Sequence, residues 1–315
     1  MIKKKYIKYL GKIITGISLL FIIKSILSFD IGFKLLLKPN VFLTIVVLAI
    51  VLSSSVLLNS LAWKKLIEML SSSELNILEI INIYAKSNVS KYLPGNVMHY
   101  ASRNIIGSKY NIEQTNMFYS TILEIILKIL SAFAIVIVFV RNELLFAIKQ
   151  LGDTIYLNIN TLVILVFLMI IPIIVLIYIK SKKMIDKKLK IQSLLFSFLI
   201  YTFIFFLNIF VFLAVSIFIV DCPIGNENIF YISGIYILAW LLGYLTPGSP
   251  GGIGIRESIM ILMLSEIFNT DNIVFVSIII RLITVLADLA AYFSNIILER
   301  KVGIINETNN TNSLL

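Results

Sequence analysis

Cysteine is almost missing from this sequence: Cys222 stands alone, so no internal disulfide can form. Histidine is equally scarce. His99 without a cysteine cluster leaves neither a zinc ligand set nor a Ser-His-Asp arrangement. There is no G-x-x-x-x-G-K-[ST] phosphate loop, which excludes ATP hydrolysis by that route. The expectation is therefore no metal, no cofactor and no enzymatic reaction. Charge is sparse as well, at 14% of 315 residues, where soluble domains carry about a quarter. What fills the space is apolar: 59% hydrophobic residues, a mean hydropathy of +0.99, and runs longer than the ~18 residues that mark a spanning helix. The expected fold class is all-α, a polytopic integral membrane protein. The net charge of +10 does not imply nucleic acid, because most positives sit in short loops beside apolar segments. That is the pattern of topology signals and anionic-lipid contacts.

Apolar segments fall at about 13–29, 41–63, 116–140, 161–179, 191–220 and 273–298. Lys3, Lys4, Lys5, Lys8 and Lys12 precede the first, but no small-residue cleavage site follows and Lys24 interrupts it, so an uncleaved anchor is expected. Two weaker pairs lie at about 77–92 with 100–113 and 229–245 with 253–268. The first pair holds Asn82, Lys86, Asn88, Lys91 and Arg103, too polar to face lipid when each midplane charge costs at least ~2.5 kcal/mol. Helices that enter, break and return suit these pairs better. Lysine-rich stretches at the start and at 180–190 place both termini in the cytoplasm of a plasma-membrane protein. Six spans with two re-entrant pairs and eight full spans satisfy this parity equally. The polar stretch 306–315 reads as a disordered tail, leaving 1–305 as one transmembrane unit.

Within that unit a phrase repeats. Tyr92-Leu93-Pro94-Gly95 runs to Arg103, and Tyr244-Leu245-Thr246-Pro247-Gly248 runs to Arg256, with the same Pro-to-Arg spacing and an offset of 153 residues. The offset carries 41–63 into the 191–220 helix, 77–92 onto 230–245, 116–140 close to 273–298, and Lys128 onto Arg281. An inverted repeat follows, with repeat one at about 41–140, a connector at 141–190 and repeat two at about 191–298. Broken helices in corresponding positions of two halves point to a midplane site.

The second phrase, Thr246 to Glu257, holds Gly248, Gly251, Gly252 and Gly254 before Arg256. Free N–H groups at a helix start favour anions, and arginine adds a fork matched to phosphate. The other reading is a tight turn in which Arg256 neutralises Glu257. The first phrase offers Asn96, His99, Tyr100 and Arg103 as a second wall of the same cavity, or as an amphipathic helix touching headgroups. Glu124 and Lys128 lie four apart on one helix face, oriented for an ion pair. Arg281 and Asp288 share a stripe two turns apart. Such residues inside spans act in coupling or pair across helices to hold the repeats in register. Trp63 and Trp240 read as interface or packing aromatics.

The stretch Lys91-Tyr92-Leu93-Pro94-Gly95-Asn96-Val97-Met98-His99-Tyr100-Ala101-Ser102-Arg103, with Pro250-Gly251-Gly252-Ile253-Gly254-Ile255-Arg256-Glu257, resembles the lysylphosphatidylglycerol synthase transmembrane-region family, the flippase-like domain proteins. The resemblance covers nearly the whole chain. It implies a membrane-embedded domain that moves a lipid between leaflets. The synthase domain of larger members is not expected, since 17 residues follow Leu298. Short members resemble proteins of polysaccharide or polyprenyl-linked glycan assembly. The expected function is translocation of an anionic or polyprenyl-phosphate lipid, its phosphate held by Arg103, Arg256 and the glycine-rich N–H groups. Glu257 or Asp288 are the candidate proton carriers. Rival readings are a non-catalytic partner of a cell-envelope glycan-assembly complex and an intramembrane transferase acting on a lipid-linked sugar.

Overall fold

Pro39 opens the first helix, α1 (Pro39–Leu70), at the position where its missing N–H costs nothing. Asn76 caps α2 (Ile77–Asn88) by accepting the Leu78 N–H at 3.0 Å. A 3-10 turn, Val89–Tyr92, ends at an extended Leu93 (ψ 149°). α6 (Ile229–Leu245) ends the same way at Thr246 (ψ 115°). Both residues precede a proline, whose ring steers its predecessor out of the helical region. The remaining helices are α3 (Met98–Gly107), α4 (Gln114–Phe139), α5 (Lys187–Phe218), α7 (Ile255–Leu264) and α8 (Thr270–Asn312). No strand occurs among the described residues.

This computed structural model describes residues 38–71, 75–93, 98–110, 112–140, 187–222, 224–225, 228–246, 252, 254–265 and 267–312. The segments expected at 13–29 and 161–179, both Pro-Gly turns, Asn96 and Gly251 lie outside them. α8 continues into the polar stretch 306–312 that the sequence reads as tail.

Among the described residues, four helices are long and apolar enough to cross a membrane: Pro39–Leu70, Gln114–Phe139, Ile191–Phe218 and Thr270–Arg300. Ile229–Leu245 is a shorter apolar helix. The long helices present Phe42, Leu43, Leu199 and Phe210 outward, as lipid-facing surfaces do. The protein is membrane-embedded. In lipid, close packing and polar contacts replace the hydrophobic effect as the force between helices. Ser197 on α5 accordingly donates to the Ala62 carbonyl on α1 at 3.0 Å, both residues being fully buried.

The helices fall into two sets of the same order: long, short, short, long. Exchanging α1–α4 with α5–α8 leaves the pattern of packed pairs unchanged. α1 packs on α8 as α5 packs on α4, α2 on α8 as α6 on α4, and α1 on α5. Such reciprocal contacts characterise a two-fold relation. The two central helices run antiparallel. Ala62, Leu66 and Met69, late in α1, cluster with Leu194 and Phe198 in the first half of α5. Val41, Ile45 and Leu48 at the other end share a cluster with Phe212, Val215 and Ile219.

Polar residues too costly for lipid find partners inside. Asn82 contacts Tyr110, Glu299 and Asn295, and Lys86 reaches Glu299 at 2.7 Å. Asn88 and Lys91 meet Asp288, and Arg103 meets Glu124. That is how the α2–α3 pair is accommodated among apolar helices.

Candidate functional site

All eight described α-helices contribute to one cavity of about 250 Å³. Among the described residues its wall carries four cations, Lys91, Lys128, Arg256 and Arg281, and one carboxylate, Asp288. Tyr84, Tyr92, Tyr100, Tyr201, Tyr236, Tyr244 and Trp240 supply the aromatic lining. His99 and Tyr100 come from the first phrase and Arg256 from the second, so the two phrases do meet around one space.

The cations differ in how they are held. Lys128 Nζ lies 2.6 Å from Glu124 Oε1, the pair that the i, i+4 spacing predicts. Arg281 pairs with Glu257 at 2.5 Å and Lys91 with Asp288 at 2.6 Å, so Arg281 and Asp288 do not pair along their shared stripe. Asn88 Nδ2, at 2.7 Å, and the Tyr92 hydroxyl also donate to Asp288. Arg256 has no carboxylate partner among the described residues. Its Nε is buried without a hydrogen-bond acceptor there.

Arg103 behaves differently from its sequence counterpart. It is 1% exposed and sits behind the cavity wall, paired with Glu124, itself fully buried. Its guanidinium lies over the rings of Tyr84 at 4.1 Å and Trp63 at 4.8 Å. Tyr84 adds a hydroxyl to the same carboxylate at 2.7 Å. Trp63 is thus a packing aromatic. The expectation of Arg103 at the cavity wall is replaced by a neutralised, boxed arginine one layer back. The two guanidinium groups remain linked through rings: Arg103 over Tyr100, Tyr100 hydrogen-bonded to Tyr244, Tyr244 stacked on Trp240, and Trp240 under Arg256. Trp240 is therefore a cavity aromatic.

The 153-residue sequence offset bears on this asymmetry. The 153-residue offset carries Glu124 onto Ser277, so the second unit lacks the acid that neutralises Arg103 in the first. Glu257 on α7 takes over beside Arg281, accepting also from Ser277 Oγ at 2.8 Å and the Gly254 N–H at 2.7 Å. Arg256 does not neutralise its neighbour Glu257, which faces Arg281. The same contacts qualify the glycine-rich helix start. The Gly254 N–H donates to the Glu257 carboxylate instead of standing free for an anion.

Two glycines make room for Arg256. A Cβ at Gly243 would stand 2.8 Å from Arg256 Cγ, and one at Gly252 would stand 2.8 Å from Nε. Gly252 and Gly254 both have positive φ, +77° and +85°, where a side chain costs roughly 1–2 kcal/mol. At Gly254 nothing lies within 4 Å of an added Cβ, so only the backbone term applies there. Gly252→Ala should accordingly lower the thermal midpoint in detergent more than Gly254→Ala. Equal midpoints would contradict the close approach of Gly252 to Arg256.

The His99 ring lies against that of Tyr100, tilted by 40° with centroids 3.8 Å apart, and its buried Nδ1 has no partner among the described residues. Sequence reasoning named Tyr100 but missed the other tyrosines and Asn59, Asn208, Ser55 and Thr284 of the cavity wall. Their signal was available as polar positions inside apolar helices. No protein-family model, curated protein or solved structure matches this chain.

Proposed function

We propose that this protein translocates an anionic lipid between the leaflets of the plasma membrane. The observation that carries this reading is Arg256, a cation without a carboxylate partner among the described residues, at the wall of a cavity with four cations and one acid. A phosphate carried through hydrocarbon alone faces a very large desolvation cost. A charge-assisted, bidentate contact with Arg256 offsets it. Lys91, Lys128 and Arg281 already hold acids and contribute mainly to the field around the phosphate.

In this reading the sets α1–α4 and α5–α8 are inverted repeats, with α2–α3 and α6–α7 as re-entrant pairs, both termini cytoplasmic and six to eight spans in all. The antiparallel α1 and α5 support it, since a two-fold axis relating antiparallel spans lies in the membrane plane. The acyl chains stay in lipid while the head enters between the units. Rocking of one unit against the other alternates access, breaking and remaking the contacts of Tyr100 with Tyr244 and of Lys91 with Asp288. Asp288, the acid on the wall, is the candidate coupling group. The resemblance to the flippase-like family supports the same assignment, and polyprenyl phosphates fall within the lipid class it implies.

The test is reconstitution into vesicles with fluorescent lipids in the inner leaflet. Arrival of an anionic phospholipid or prenyl phosphate at the outer leaflet should exceed both protein-free vesicles and phosphatidylcholine by at least about tenfold, since tenfold needs only ~1.4 kcal/mol of preference. Equal rates for anionic and zwitterionic lipids would overturn the proposal. No movement of any lipid would favour the assembly-partner reading.

A further inference from the structure

We infer that the headgroup taken by this cavity carries neutral hydroxyl donors beside its phosphate, as a small polyol phosphate does. The inference rests on the translocation reading and concerns the part of the wall formed by α1 and α5. Asn59 Nδ2 donates to the Ser55 carbonyl and Asn208 Nδ2 to the Ile204 carbonyl, each at 2.7 Å. Only the N–H side of an amide can bond to a carbonyl, so chemistry fixes both orientations and leaves each Oδ1 as an acceptor. Asn59 Oδ1 is buried without a donor, and both residues line the cavity. Tyr201, 1% exposed, also lines it with a hydroxyl that has no partner among the described residues.

A phosphodiester has acceptors only. It can serve Arg256 but cannot satisfy an amide oxygen, and a buried acceptor left unpaired is costly. The ligand must therefore bring donors of its own. An ammonium would need a carboxylate, and Asp288, the acid on the wall among the described residues, is already held by Lys91, Asn88 and Tyr92. Hydroxyls supply the donors without the charge. A cavity of about 250 Å³ accommodates a phosphate with a glycerol- or hexose-sized unit beside it.

The experiment titrates the full chain in detergent with short-chain lipids and follows thermal stabilisation. The probes are dihexanoyl phosphatidylglycerol, dihexanoyl phosphatidylpropanol of equal charge without hydroxyls, dihexanoyl phosphatidylethanolamine, and dodecyl phosphoryl glucose. Phosphatidylglycerol, the phosphoryl sugar, or both should bind about tenfold tighter than phosphatidylpropanol, because a site built to bond hydroxyls rejects the analogue lacking them. The tighter of the two identifies the polyol as glycerol or sugar. Asn59→Leu and Tyr201→Phe should each cut the preference by roughly threefold, one neutral hydrogen bond's share, without weakening phosphatidylpropanol. Tyr201→Phe keeps the ring and its packing, so it carries the test if Asn59→Leu fails to fold. Equal affinity for phosphatidylglycerol, the phosphoryl sugar and phosphatidylpropanol overturns the inference, as does equal affinity for phosphatidylethanolamine. If Arg256→Ala then weakens all the anionic probes, the translocation reading survives. Binding of none of the probes removes both.

Discussion

Glu124→Gln should destabilise this protein more than any other single change at the cavity, by about 3–5 kcal/mol. Glu124 is fully buried and holds Arg103, Lys128 and the Tyr84 hydroxyl. Removing its charge leaves a guanidinium that is 1% exposed without a counter-ion, which is the expensive way to break a buried pair. The amide keeps the shape, so the loss measures charge and not a cavity. The double change Arg103→Met with Glu124→Met should recover much of the loss, because apolar groups of similar volume replace a buried ion pair at little cost. Thermal unfolding in detergent of the two single variants and the double variant checks this as a cycle. Unchanged stability of Glu124→Gln would show that Arg103 does not depend on this carboxylate.

Arg256→Ala should do the reverse: stability kept or raised, lipid recognition lost. Arg256 forms no ion pair among the described residues and leaves its Nε unsatisfied, so truncation removes a desolvated charge without orphaning an acid. Stabilisation by an anionic lipid should weaken by about 10- to 100-fold, the worth of one or two charge-assisted bonds. Arg256→Lys should fall between, since it keeps the charge and loses the fork. The measurement is the lipid-dependent rise in thermal midpoint for the native chain and both variants. A marked loss of stability in lipid-free Arg256→Ala would make this arginine structural, like Arg103.

Much of the helix layout was legible because apolar runs and proline are strong local signals. Ile229–Leu245 falls where the sequence reads a weaker apolar segment, and Leu93 and Thr246 end their helices before Pro94 and Pro247. The i, i+4 pair of Glu124 and Lys128 was equally local. The ion pairs between elements were not. Arg103 with Glu124, Lys91 with Asp288 and Glu257 with Arg281 form between helices, and spacing along the chain says nothing about which helices touch. Arg281 and Asp288 share a stripe, yet each finds an acid or cation from another element. The different fates of Arg103 and Arg256 could have been anticipated. Applying the repeat offset to Glu124 lands on Ser277, and a missing acid in one copy leaves that copy's arginine without its counterpart's partner. The aromatic bridge from Tyr100 through Tyr244 to Trp240 needed coordinates, because its members come from two helices, α3 and α6, that are far apart in sequence.

The most direct measurement is the transbilayer rate of a fluorescent anionic lipid in vesicles carrying native protein or Arg256→Ala, read by bleaching of the outer leaflet with a membrane-impermeant reductant. Native vesicles should move the lipid, and vesicles holding the same amount of folded Arg256→Ala should move it at least about tenfold more slowly. Equal rates for the two proteins would contradict the account.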